Sequence, residues 1–364
     1  MKQIRAVGLF HFDLPHQSAQ HRRMVWTDVD HWHLQNVALP QGVHLAPFTY
    51  ATSAEASPVI ASAVFGPQGL TGNLETGPFT KPQDALIATA VGERRRKPKE
   101  GKENGARMAV RLLADGQFTS RASDVLSRGQ YFSDATLDDD QRRRQTVLHN
   151  LLQASTPPYP DEPMLLVWCD PLDTGFQVNR QAQQRGEALL AIPLVLEHPP
   201  AGTSVIIPGP FLACESIALP GAIATSASYD NIEQAWIGPL TEGSRSMLRY
   251  ALPESVLPLA VERVMLEIDI KAPGRAVALR SYAAGKSTEI ASENSPVGTY
   301  RYRVENADAL TLDADGGWLL EVDVGGITGG ADQGISAIGW QIEDIRVEVS
   351  GTTQPRDSLQ EQHP

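Results

Sequence analysis

The sequence predicts a mainly-β protein, with an antiparallel β-sandwich in its C-terminal part and a smaller α+β region before it. Three observations carry this. After residue 164, short apolar runs recur between turns rich in Gly and Pro, with no helix-period stretch among them. In residues 264–270 and 342–349 apolar and polar residues largely alternate, as in strands with one buried and one wet face. Before residue 160, strand-like runs are mixed with one well-signalled helix.

The elements follow in order. Residues 7–12 and 59–65 read as strands, separated by turns around 40–42, 66–69 and 77–78. Residues 93–105 are all charged, polar, Gly or Pro, which predicts a mobile basic loop that cannot bury enough surface to offset its ordering. A helix is predicted over 137–153: Thr136 and Asp139 have capping spacing, Asp138 to Asp140 suit the helix dipole, and Leu137, Leu148, Leu151 and Leu152 fall near one face. Further strands are expected over 164–169, 188–197, 204–207, 212–219, 246–252, 261–270, 276–282, 287–291, 299–304, 318–324 and 340–349. The Pro-rich stretch 156–163 reads as a linker. The expected domains are an α+β region over 1–158 and an acidic β-region over 163–351, with sub-sheets over 163–255 and 256–351. A disordered tail is expected over 352–364.

Composition narrows the function. The chain has 364 residues and a net charge of −12, with 41% hydrophobic residues. Residues 1–160 carry 18 Lys and Arg against 15 Asp and Glu, and the remainder carries 13 against 28. An acidic body repels nucleic acid and anionic membrane surfaces, so neither is expected as a partner. No apolar run is long enough for a membrane span, so no membrane insertion is expected. The first 30 residues lack an apolar signal region, so a cytoplasmic location is the default expectation. Cys169 and Cys214 are too few for a disulfide scaffold and read as small buried hydrophobes.

The region closing with Trp340-Gln341-Ile342-Glu343-Asp344-Ile345-Arg346-Val347, preceded by Pro296-Val297-Gly298-Thr299-Tyr300-Arg301-Tyr302-Arg303-Val304, resembles the last strands of galactose-binding-like jelly rolls. That is the fold of many carbohydrate-binding modules, and the resemblance covers about residues 240–350. It implies a jelly-roll-like sandwich that binds a glycan at its loops, although fold alone does not assign function.

Several residue groups combine chemistry that suits a site with a plainer structural explanation. Tyr229, Asp230, Asn231 and Trp236 place aromatic rings and polar groups within eight residues, a combination suited to ligand binding. Trp318 and Trp340 open apolar strands and are expected in the core. Asp313 and Asp315 precede a Gly-Gly pair; they are a candidate structural calcium site, with an ordinary hairpin turn as the alternative. His31 and His33 share a strand face but lack a third ligand, so they read as surface or packing histidines. Asp170 and Asp173 follow a strand as in phosphatases that use an aspartate nucleophile, but their spacing is three rather than two, and a turn is the plainer reading. No nucleophile elbow or phosphate loop is present, and no catalytic residue is assigned.

The expectation is therefore a non-catalytic binding or assembly protein that recognises a glycan or a protein partner. It needs no cofactor apart from the candidate calcium. The alternatives are a hydrolase with carboxylates at Asp170 and Asp173, and a structural subunit of a larger complex.

Overall fold

The computed structural model describes residues 57–89, 106–127, 129–153, 160, 162–172, 186–221, 228–231, 235–327 and 339–355, together with the backbone of 3–9, 23–28, 31–35 and 49–55. The chain divides into two compact units. One takes 1–59, 76–81 and 169–188, and the other takes 60–75, 82–168 and 189–364.

The first unit contains β1 (Gln3–Leu9), β2 (Arg23–Asp28), β3 (His31–Gln35) and β4 (Thr49–Glu55). β1 pairs with β4 and β2 with β3, both antiparallel. His31 and His33 lie on β3, and their side chains are outside the described residues. The basic segment 93–105 is outside them too.

The second unit begins with β5 (Val59–Gly66), β6 (Gly69–Thr76), β7 (Gln83–Ala88), β8 (Arg107–Leu112), β9 (Gln117–Arg121) and β10 (Val125–Leu126). Helix α1 (Asp139–Gln153), β11 (Met164–Cys169) and β12 (Ala188–Glu197) follow. The strands are ordered β8-β7-β11-β12-β5-β6-β9, and β9 returns to pair with β8 through Arg111↔Thr119 and Leu112↔Phe118. The ring is a closed seven-stranded barrel. β5 and β12 pair in parallel. β6 and β9 approach closely at Gly72, where a Cβ would stand 2.3 Å from both Ser62 O and Phe118 Cζ.

All six residues of β11 are buried, as are Ala85 to Ala88 of β7. Strand side chains alternate, so such runs must be covered on both faces. On one face Leu86, Ala88, Met164, Leu166 and Trp168 pack with Leu148 and Leu152 of α1 and with Tyr131 and Phe132. The other face lines the barrel interior. The helix falls where the sequence predicts it, but its cap differs. Asp138 accepts from Gln141 N at 2.7 Å while Gln141 Oε1 accepts from Asp138 N at 3.2 Å, a reciprocal box two residues beyond Thr136.

The rest of the unit contains β13 (Ser204–Ile207), β14 (Ala213–Ile217), β15 (Tyr229–Asp230), β16 (Ala235–Trp236), β17 (Ser244–Ala251), β18 (Leu259–Lys271), β19 (Arg275–Ala283), β20 (Lys286–Asn294), β21 (Val297–Val304), β22 (Gly317–Ile327) and β23 (Gln341–Thr353). Two open sheets result, ordered β13-β23-β18-β21 and β14-β17-β22-β19-β20. The alternation read in 264–270 is real, with Val264, Leu266, Ile268 and Ile270 buried.

These observations correct the predicted fold class. The protein is mainly β, but residues 1–158 are not a separate α+β region, since their strands β7 and β5 pair with β11 and β12, and the strand pairing points to a barrel-like fold and not to the expected jelly-roll-like sandwich. Its defining feature is the closed barrel, which points to a barrel-like fold. The physical reason is that inward–outward alternation is the same in a sandwich and a barrel; only pairing decides closure. The expected boundary near 156–163 falls inside one sheet, since β11 and β12 pair with β7 and β5. Residues 352 and 353, expected in a disordered tail, belong to β23, and Gln354 N donates to Pro258 O at 2.8 Å; residues 356–364 lie outside the described residues. Among the described residues, no helix is long and apolar enough to cross a membrane.

Candidate functional site

β15 and β16 form a two-rung hairpin in which Tyr229 pairs with Trp236 and Asp230 with Ala235. The hairpin brings together the aromatic residues singled out in the sequence. The Tyr229 and Trp236 rings meet edge to face at 5.4 Å and 79°, and Trp236 meets Trp340 at 6.4 Å and 65°. Trp340 is 1% exposed and Trp318 0%, so both are core residues, with indole N–H groups donating to Glu242 O at 2.7 Å and Ala309 O at 2.8 Å. Trp236 is half-buried. Beside it Ile237 is 46% exposed, and Pro239 is exposed as well.

The polar groups of the hairpin face inward. The Tyr229 hydroxyl donates to Cys214 Sγ at 3.6 Å. Burial, then Cys214 and the Asp344 and Asp230 carboxylates, push the phenol well above its ordinary range. Asn231 accepts from Ser216 N at 2.5 Å and donates to Ser216 O at 2.9 Å. Ser228 Oγ lies 2.5 Å from Ser246 Oγ and accepts from Ser244 Oγ at 2.8 Å. Of the four candidates, Tyr229 and Asn231 therefore anchor the hairpin, Trp236 presents a partly open ring, and Asp230 is half-buried beside them. Sequence reasoning missed Ile237 and Pro239 as part of the exposed edge. It also missed Cys214 and Ser216 as anchors, because nothing local marks strands that pair only through tertiary structure.

Asp313 lies elsewhere. Arg249 donates from Nε to Asp313 Oδ2 at 2.6 Å and from Nη2 to Oδ1 at 3.2 Å, while the Asp315 and Gly317 amides donate to Oδ1 at 3.0 and 2.6 Å. Burial raises the Asp313 carboxyl, but Arg249 and the two amides outweigh it and hold it below the ordinary carboxylate range. The guanidinium supplies the positive charge that the calcium reading assigned to an ion, and the Asp315 carbonyl also accepts from Arg249, at 3.3 Å. Among the described residues, no group of three His, Cys, Asp or Glu is placed to hold a metal ion.

Asp170 forms an ion pair with Lys81 at 2.7 Å, both groups being open to solvent, and its amide donates to Thr80 O at 2.9 Å. Asp173 lies outside the described residues. Cys169 is buried and Cys214 half-buried, and neither is in a disulfide.

No family model and no curated protein matches the chain. Among solved structures, it is similar to a family 43 glycoside hydrolase, an arabinoxylan arabinofuranohydrolase from Bacillus subtilis solved with cellotetraose, at a TM-score of 0.15 and 8% identity. The match covers 85% of this chain and 57% of that one. At such a score the likeness shows neither fold nor activity.

Proposed function

We propose that the chain is a binding or assembly protein without catalytic activity, which docks a protein partner on the edge formed by Trp236, Ile237 and Pro239. The observation that supports this reading is the division of the hairpin into two sides. Its hydroxyl and carboxamide groups are engaged with the protein's own strands, while an apolar side chain, Ile237, stands 46% exposed next to a half-open indole. Burying such side chains contributes roughly 1.5–3 kcal/mol each, enough to anchor a partner but not to hold it without a surrounding rim.

A glycan is the second reading, favoured by the half-open Trp236 ring beside Asp230. It is the weaker of the two because a sugar needs several polar partners around the stacking ring, and Tyr229 and Asn231 use theirs internally. The two are separated by presenting wild-type chain and Trp236→Ala to a glycan array and to native extract. The assembly reading expects no glycan bound and one defined partner lost with Trp236. Glycan binding that depends on Trp236 would replace it.

A further inference from the structure

Asn231 offers both halves of its carboxamide to a single residue, accepting from Ser216 N at 2.5 Å and donating to Ser216 O at 2.9 Å. That is the donor and acceptor pair that an adjacent strand presents to its neighbour. Ser216 lies on β14, one of the two outermost strands of the five-stranded sheet. It is 3% exposed, so water cannot readily replace these two bonds. Asn231 therefore takes the place of the next strand at this point of the edge and closes it.

Asn231 directly follows β15, whose Tyr229 pairs with Trp236. At the other end of the hairpin, Ser228 is held by the Ser246 and Ser244 hydroxyls of β17, and Ile237 N donates back to Ser228 O at 2.8 Å. The first strand of the hairpin is thus fixed to β17 just before it begins and to β14 just after it ends.

We infer that Asn231 is a positioning residue, which holds the end of β15 against β14 and, through the Tyr229–Trp236 pair, sets the angle at which Trp236 meets a partner. This rests on the docking reading of Trp236. A residue that only caps an edge would change stability on removal and leave Trp236 where it is.

The test uses the full chain with Asn231→Ala, Asn231→Asp and Trp236→Phe. Asp keeps an acceptor for Ser216 N–H but sets a carboxylate oxygen against the Ser216 carbonyl, so it should displace the end of β15 at least as much as Ala. The edge-to-face cluster of Tyr229, Trp236 and Trp340 gives a near-ultraviolet circular dichroism signal, and Trp236→Phe identifies the part due to Trp236. The expected result is that both Asn231 variants lose most of that part, with an unchanged far-ultraviolet spectrum and a cooperative melt. Acrylamide quenching of Trp236, taken as the difference from Trp236→Phe, should rise with them. Should Asn231→Ala fail to fold, Asn231→Ser, which keeps an acceptor, serves for the same two measurements. An unaltered Trp236 signal in folded variants overturns the inference. Partner affinity should fall about tenfold in Asn231→Ala, the scale of a lost hydrogen-bonded anchor. Affinity lost with Trp236→Ala but kept with Asn231→Ala also overturns it and leaves docking standing. Affinity kept with Trp236→Ala removes the docking reading itself.

Discussion

Arg144 of α1 forms a salt bridge with Asp84 on β7, and its guanidinium lies 5.8 Å from the centre of the Trp168 ring on β11. The Arg144 side chain is 7% exposed and that of Asp84 21%. The pair ties the helix to the barrel wall across the same face that Leu148 and Leu152 cover. Removing one partner leaves a charge in a poorly hydrated place, which is costly. Arg144→Ala should lower unfolding free energy in urea by about 3 kcal/mol. Adding Asp84→Ala should recover part of the loss; full additivity of the two changes would show that the pair is not coupled.

Glu321 makes stability depend on acid pH. Its side chain is 0% exposed, and it accepts from Arg245 and Arg280, each at 2.7 Å. Burial raises the carboxyl, but the two arginines outweigh that and hold it below its ordinary value. A carboxyl depressed in the folded state contributes stability that is present above its unfolded value, about 4.3, and lost as pH falls through the folded one. Urea stability should therefore decline below about pH 5. Glu321→Gln should flatten part of that decline and cost about 1–3 kcal/mol at pH 7. An unchanged acid slope in the variant would mean that Glu321 is not the group responsible.

The thiols act at the other end of the scale. Burial, then Asp170, pushes Cys169 up to about 11 from 9.0, and burial likewise pushes Cys214 up to about 11. For Cys214, the Tyr229 and Tyr250 hydroxyls pull in the opposite direction. A thiol raised in the folded state contributes stability that is complete below the unfolded value and lost as pH rises through the folded one. Stability should thus fall between pH 9 and 11, and Cys214→Ser should reduce that fall. Both thiols should react slowly with a disulfide reagent at pH 8 in the native protein; rapid reaction of both would contradict this.

Much of this architecture is legible locally. The run 164–169 reads as a strand because it is apolar and ends at Asp170-Pro171, and the alternation in 264–270 shows which side chains enter the core. The acidic start of α1 places it to within a turn. The barrel is not legible, because its closure depends on β8 meeting β9 and on β12 lying parallel to β5, pairings that leave no trace in strand periodicity. The same holds for sites. Asp313 and Asp315 look like cation ligands until Arg249, 64 residues earlier in sequence, is seen to occupy Asp313. Tyr229 and Trp236 were recognisable as a pair because the hairpin is local, whereas the use of Asn231 as a surrogate strand required β14 beside it.

Trp236 itself is expected to matter more for association than for folding. Trp236→Ala removes ring contacts with Tyr229 and Trp340 but leaves Trp340 anchored through Glu242 O. Half-buried, it should cost about 1–2 kcal/mol of stability, visible as a modest fall in melting temperature with cooperativity retained. A collapse of the fold would place the residue in the core rather than at an edge.

The docking claim is tested most directly by replacing Ile237 with a photo-crosslinking phenylalanine analogue in living cells, with the exposed Lys286 position as the control. The account expects one discrete crosslinked protein from position 237, none from 286, and loss of the product when Trp236→Ala is added. No product from 237 beyond that from 286, or one that persists without Trp236, would contradict it.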